Sequence, residues 1–199
     1  MMIDLVKKNR SYRGYNHDRK VTKEELLELA DCARLTASSV NIQPLKYYLA
    51  WEEEEVARIQ ALTSWARALP QMTLPHPGME PTAFIVICQD TKISNALQRF
   101  LKDVGIVAQT MLLAATEKGL GGCMIGSFRP EKVSAELGLP DNLVPLLIVA
   151  IGEPAEEIVL TEIEDGENTN YYRDGNDVHY VPKRRLEDIV LTQKECRRL

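Results

Sequence analysis

Two clusters of cationic side chains lie near the two ends of the chain. Residues 10–13 read RSYR, which places two guanidinium groups beside a serine hydroxyl, and residues 182–185 read PKRR. Guanidinium and ammonium groups are the donors that best match phosphate oxygens. The two clusters therefore predict a phosphate-binding site, although two solvent-exposed basic patches would give the same pattern.

A polar turn follows the first clear helix of the sequence. Residues 38–44 read SSVNIQP, so several small polar side chains precede a proline that fixes the exit of the chain. Such a turn can present hydroxyl, amide and backbone N–H groups to the polar edge of a ring. The alternative interpretation is the end of a helix followed by a loop.

Three glycines, Gly119, Gly121 and Gly122, resemble a dinucleotide fingerprint but do not fit it. Met124 stands where the third glycine would be required, and the glycines follow a helix instead of a strand. A helix cap that lets the backbone approach a flat group explains them better. The sequence also has no phosphate loop of the GxxxxGK[ST] type, no GxSxG elbow and no HExxH motif.

The composition is that of a globular protein with a sizeable core. Its 199 residues are 45% hydrophobic and 27% charged, and the net charge of -5 argues against non-specific nucleic-acid binding. Four cysteines without a CxxC pair predict thiols in a reducing compartment, and three histidines without ligand spacing predict no metal site. The start of the chain does not resemble a signal peptide and no apolar run is long enough to cross a bilayer, so we expect a cytoplasmic protein.

Helices and strands alternate irregularly, which favours an α+β fold. Thr22 and Glu25 form a capping box, and the longest helical segment is apolar on most sides, as in a core or a subunit interface. Beyond residue 152 the composition becomes acidic, which predicts an extended arm instead of a second domain. The predicted helices cover 22–36, 52–69, 95–118 and 130–137, and the predicted strands cover 46–51, 83–88, 123–126 and 143–151.

Four segments in order resemble the nitroreductase family of FMN-dependent oxidoreductases. The RSYR segment resembles the family's N-terminal R-S-x-R motif, and SSVNIQP resembles its S-S-x-N-x-Q-P turn. Residues 103–128 resemble the central helix and the strand after it, and 182–186 resemble a C-terminal P-K-x-R-L segment. The resemblance extends from about residue 5 to 191.

The resemblance implies a three-layer α+β fold and a homodimer with two FMN sites at the subunit interface. The central sheet would be mixed but mainly antiparallel, and residues 1–199 would form one domain whose arm, 153–199, is exchanged between subunits. The ribityl phosphate would be held by Arg10, Ser11, Arg13, Lys183 and Arg185. Ser38, Ser39 and Asn41 of the other subunit would approach the isoalloxazine ring, and the backbone at Ile125 and Gly126 would line its other side.

The implied activity is hydride transfer from NAD(P)H, through FMN, to a small electrophilic acceptor such as a nitroaromatic, a quinone, an enone or a flavin. The flavin supplies the reactive chemistry, so no catalytic side chain is assigned. Trp65 and Arg67 are candidates for shaping the substrate pocket. Two other hypotheses stay open: a non-catalytic FMN-binding or redox-sensing protein, and an interaction domain without a cofactor.

Overall fold

The computed structural model describes residues 1–192, and these form two compact units. The first, called here the sheet unit, comprises 1–66 and 73–155. The second, called here the C-terminal unit, comprises 67–72 and, within the described residues, 156–192. Within the described part of the chain, no helix is both long and apolar enough to cross a lipid bilayer.

The sheet unit contains five helices and five strands. The helices are α1 (Met2–Lys8), α2 (Lys23–Arg34), α3 (Glu53–Ala61), α4 (Leu101–Glu117) and α5 (Pro130–Glu136), and short 3-10 helices cover Ser39–Asn41 and Leu97–Phe100. The strands are β1 (Tyr15–Asn16), β2 (Leu45–Ala50), β3 (Ala83–Asp90), β4 (Gly121–Ile125) and β5 (Leu143–Pro154). All pairings between these strands are antiparallel.

The 12-residue strand β5 organises the sheet. It pairs with β3 over most of its length, with β4 between Ile148 and Gly152, and with β1 at its end. Strand β2 then adds to the far side of β3, with Leu45 opposite Gln89. Seven of the eight residues of β3 are buried, as the continuous apolar run of this strand predicts.

Helices cover both faces of this sheet, because alternate side chains of each strand point to opposite faces. Ile85 and Ile87 of β3 pack in one cluster with buried residues of α2 and α4. Phe84 and Val86 pack in another with buried residues of α3 and α5. The predicted three-layer α+β arrangement is therefore confirmed.

Local sequence signals explain where most elements begin and end. Thr22 caps α2 through the predicted box, because its side chain accepts a hydrogen bond from the Glu25 N–H and Glu25 accepts one from the Thr22 N–H. The prediction was wrong for the end of α3, which stops at Ala61 instead of reaching 69. The chain turns away there, since the Ser64 N–H donates to the Ser127 carbonyl oxygen and Ala66 has a φ of 47°.

The C-terminal unit contains a second, three-stranded sheet. Its strands are β6 (Ile158–Ile163), β7 (Tyr172–Arg173) and β8 (His179–Arg184), and a short helix α6 (Leu186–Ile189) follows. Strand β8 is parallel to β6 and antiparallel to β7. A buried ion pair joins Arg173 to Glu156 within this unit. The acidic segment after residue 152 thus contains regular strands as well as extended chain.

Candidate cofactor-binding site

The first cationic cluster directly follows α1 and caps its C-terminal end. The Arg10 Nη2 group donates to the carbonyl oxygen of Val6 at 2.8 Å, and the Tyr12 hydroxyl donates to that of Lys8 at 2.8 Å. Carbonyl groups in the last turn of a helix have no partner inside the helix, so these bonds satisfy them. The contacts fix the position of residues 10–12 relative to α1.

Arg10 has no counter-ion among the residues that the structure describes. Its Nε atom is buried and has no hydrogen-bond partner among the described residues, and no carboxylate of residues 1–192 forms an ion pair with it. Burial lowers the pKa of the guanidinium, and only the phenol of Tyr12 opposes this effect. A partly buried cation without a protein anion is suited to bind an anion from outside the chain.

A bridge to β4 places the same segment beside the glycine-rich strand. Ser11 pairs in parallel with Gly122, and the Tyr12 N–H donates to the Gly122 carbonyl oxygen at 3.1 Å. The Arg13 Nη1 group donates to the Ser11 carbonyl oxygen at 3.1 Å. Three of the predicted phosphate residues, Arg10, Ser11 and Arg13, therefore lie along the start of β4.

The glycines before and within β4 have two separate functions. Gly119, with a φ of 77°, ends α4 in a Schellman motif, in which the Leu120 N–H donates to the Ala115 carbonyl oxygen at 2.9 Å. Gly121 lies under the ring of Tyr12, whose Cε2 atom would be 2.8 Å from an added Cβ. The flat group that the backbone approaches within the chain is therefore a tyrosine ring.

Ile125 and Gly126 lie at the other end of β4, at the edge of the sheet unit. Ile125 is buried, whereas Gly126 is exposed and an added Cβ there would meet no atom within 4 Å. Trp65 packs against the same cluster as Ile125, and its indole N–H donates to the Thr63 hydroxyl at 2.8 Å. The space that an added Cβ at Gly126 would point into is thus open among the described residues.

The polar turn at 38–43 is held from inside by a residue that the motif search missed. Asp103, in the first turn of α4, is only 2% exposed and accepts hydrogen bonds from the hydroxyls of Ser38 and Ser39 at 2.6 and 2.7 Å. Burial disfavours ionisation of Asp103, but these hydrogen bonds outweigh it and lower its pKa. A carboxylate on the apolar side of a helix is the sequence signal that could have revealed it.

The second cationic cluster lies in the C-terminal unit. Lys183 is exposed on β8, where it pairs in register with Glu162 of β6. Arg185 already faces carboxylates of its own unit, at 3.2 Å from Asp188 and 3.6 Å from Glu164. Hydrogen bonding to Asp188 raises the pKa of Arg185. Lys183 is the less engaged of the two cations.

Comparison with known proteins decides the family. The sequence profile of the Nitroreductase family matches residues 6–153, which include the last turn of α1, the polar turn, α4 and all but the final residue of the antiparallel sheet. The chain belongs to the nitroreductase family. The family, the α+β fold, the FMN cofactor and the NAD(P)H-dependent oxidoreductase class inferred from the sequence motifs are thereby confirmed.

Relatives of this nitroreductase-family chain cover most of its length. An FMN reductase (NADPH) of Bacillus subtilis is 28% identical over 77% of this chain and 66% of its own. A protein of Archaeoglobus fulgidus named for NADH dehydrogenase/NAD(P)H nitroreductase activity is 27% identical over 82% of this chain and 91% of its own. A nitroreductase family protein of Clostridium difficile superposes with a TM-score of 0.62 at 28% identity, covering 77% of this chain and 84% of its own.

The local chemistry of the sheet unit fits the cofactor of the nitroreductase family. The buried Nε of Arg10 needs an acceptor, which a phosphate oxygen supplies, and the exposed backbone at Gly126 leaves room for a flat ring. Residues 1–192 contain no cluster of three or more His, Cys, Asp or Glu side chains that could hold a metal ion. The groups of the sheet unit that could hold FMN are therefore the guanidinium of Arg10 and the exposed backbone at Gly126.

Proposed function

We propose that this chain transfers hydride from NAD(P)H to a small electrophilic acceptor, with the phosphate of FMN held by the segment from Arg10 to Arg13. Nitroaromatics, quinones, enones and free flavin are the acceptors that this chemistry serves. The observation that carries the assignment is the partly buried Arg10 guanidinium, whose buried Nε has no hydrogen-bond partner and which has no counter-ion among residues 1–192. A phosphate would neutralise this charge and complete its hydrogen bonds.

The proposal gives each predicted site residue a defined task. Arg10 and Arg13 bind phosphate oxygens, while Ser11 adds a hydroxyl donor at the start of β4. The backbone at Ile125 and Gly126 faces the isoalloxazine ring at the end of the same strand. Lys183 and Arg185 are retained as phosphate ligands from the motif resemblance, with Lys183 contributing more because Arg185 is already paired with carboxylates.

We further propose that two copies of the chain form a homodimer, in which the partner subunit's Ser38, Ser39 and Asn41 approach the ring. Support comes from large apolar side chains that remain exposed on α2, on α4 and in the polar turn. These are Leu27, Leu35, Val40, Leu101 and Ile106, with exposed fractions between 42 and 79%. Burying such side chains against a second copy removes apolar surface from water, which favours association.

The protein's contribution to the reaction is binding and orientation. FMN, when bound, supplies the hydride-accepting and hydride-donating chemistry. The chain holds the phosphate at one end and presents backbone and turn groups at the other, so that a donor or acceptor carbon can approach to about 3–3.5 Å. Hydride transfer itself needs no side-chain acid, so no proton-transfer role is assigned to a residue of the chain.

The decisive experiment is the absorption spectrum of the purified protein with its FMN-to-chain ratio, followed by steady-state NAD(P)H oxidation. We expect one FMN for each chain and turnover with a quinone or a nitroaromatic. FMN bound in that ratio without turnover would contradict the enzyme assignment and favour a redox sensor. A colourless protein that takes up no added FMN would favour an interaction domain, and a monomeric mass in solution would contradict the dimer.

A further inference from the structure

Asp103 is a buried carboxylate that accepts hydrogen bonds from two residues of a single turn. It accepts bonds from the Ser38 hydroxyl at 2.6 Å, the Ser39 N–H at 2.9 Å and the Ser39 hydroxyl at 2.7 Å. No cation of the described residues forms an ion pair with it. A buried charge without a counter-ion depends on hydrogen bonds for its stability, so Asp103 and the turn are bound to each other.

The turn needs this attachment because its backbone is strained. Val40, Asn41 and Gln43 all have φ values between 52 and 54°, in the left-handed region that residues with a Cβ rarely adopt. Val40 is β-branched and 79% exposed, so no packing within the described chain compensates its conformation. Strained backbone of this kind persists where the surroundings enforce it, and it is common at ligand-binding sites.

The same bonds determine which groups of the turn remain available to a ligand. A serine hydroxyl carries one proton, and those of Ser38 and Ser39 are both donated to Asp103. The Gln43 side-chain amide donates to Asn41 Oδ1 at 2.9 Å. Asn41 is exposed, and its Oδ1 atom already accepts the hydrogen bond from Gln43. The Nδ2 group of Asn41 is therefore the donor that the turn presents to the outside.

We propose that Asp103 is a positioning residue for the flavin site, and that Ser38 and Ser39 act through it instead of donating their hydroxyl protons to FMN. This inference rests on the proposed function, in which the turn approaches the ring of FMN bound at the subunit interface. Asp103 holds Ser38 and Ser39 inward against α4, and Gln43 orients Asn41. The Asn41 amide then supplies the hydrogen bond to the polar edge of the ring.

A double-mutant cycle on FMN affinity distinguishes positioning through Asp103 from direct hydrogen bonds between the serine hydroxyls and FMN. The variants are Asp103→Asn, Ser39→Ala and the double variant, with Asp141→Asn at an exposed loop position as the matched control. Asp103→Asn removes the negative charge and turns one of the two acceptor oxygens into a donor, so it cannot accept all three hydrogen bonds, and we expect FMN to bind about tenfold more weakly. The double variant should bind FMN no more weakly than Asp103→Asn. Fully additive losses would overturn the proposal.

Spectroscopy and kinetics distinguish positioning from simple loss of structure. In the Asp103→Asn background, Ser39→Ala should leave the visible spectrum of bound FMN and the ratio of kcat to KM for NAD(P)H unchanged. Asn41→Ala should change both in the otherwise unaltered protein. The assigned roles would be refuted if Ser39→Ala changed the spectrum of bound FMN in the Asp103→Asn background, or if Asn41→Ala left that spectrum unchanged.

Hydrogen exchange on the FMN-free protein tests the attachment without the cofactor. Ser39→Ala should accelerate exchange of the amides at 39–43, whereas Asn41→Ala should leave the Ser39 amide protected. If Asp103→Asn fails to fold, these two variants still decide the question, and an unprotected Ser39 amide in the unaltered chain would refute the proposal. A chain that binds no FMN but shows this pattern would contradict the proposed function alone.

Discussion

Replacement of Gly122 by alanine should destabilise the sheet unit, because the site has no room for a methyl group. An added Cβ would lie 2.6 Å from Cδ2 of Leu112 in α4 and closer still to the carbonyl oxygen of Ala150 in β5. The first distance is about 1 Å shorter than an ordinary carbon–carbon contact. The Ala150 oxygen belongs to the backbone of the central strand, so it cannot rotate away as a side chain would. We expect a loss of about 3 kcal/mol in the free energy of unfolding.

Urea unfolding of the FMN-free protein measures this loss. The matched control is Gly105→Ala in α4, where an added Cβ meets no atom within 4 Å. Alanine is the better helix former, so the control should be stabilised by up to about 1 kcal/mol. Because Gly122 also pairs with Ser11, which is proposed to bind the phosphate, Gly122→Ala should also weaken FMN binding in the absence of urea. An unfolding free energy within 0.5 kcal/mol of the unaltered protein would refute the packing argument.

Three further predictions concern charge. Arg10→Ala should weaken FMN binding at least tenfold, because a charge-assisted bond to the phosphate is lost. The control Lys132→Ala, at an exposed position of α5, should change the affinity less than twofold in the same fluorescence titration. Equal effects of the two variants would contradict the phosphate assignment. Lys183→Ala should weaken FMN more than Arg185→Ala in the same titration, because Arg185 is paired with carboxylates, and the reverse order would contradict that reasoning. Folding lowers the pKa of Asp103 below its ordinary 3.8, so its ionised form stabilises the fold at neutral pH and that contribution disappears as pH falls below about 4. Unfolding free energies should therefore drop less between pH 5 and 3 in Asp103→Asn than in the unaltered chain, and parallel curves would argue against this contribution.

Local signals in the sequence predicted much of the sheet unit. The capping box at Thr22 and the glycine after α4 lie where helices begin and end in the structure. The continuous apolar run at 83–88 became a strand buried on both faces because helices cover the sheet on each side. These features depend on side chains a few residues apart, which a sequence displays directly.

Features that depend on distant contacts could not be read in this way. The spacing of Leu62, Trp65 and Leu69 is helical, yet a backbone hydrogen bond from Ser64 to Ser127 ends α3 earlier. The polar turn was predicted as a candidate site from its residues alone, but the direction of its hydroxyls depends on Asp103, which lies 64 residues beyond Ser39. No local pattern could show that two serines expected at a ligand face an internal carboxylate.

The central position of β5 has a consequence for how the chain is made. Its partners β1, β3 and β4 are all synthesised earlier, and Tyr15 must wait for Pro154 before it can pair. On a ribosome about the first seven-tenths of the chain therefore emerges before the strand that joins the sheet, and one edge of β3 remains without its pairing partner. Folding dominated by such distant pairings is slow and leaves apolar strands open to aggregation in the meantime. We therefore expect the nascent chain to be most prone to aggregation until residue 154 has left the exit tunnel.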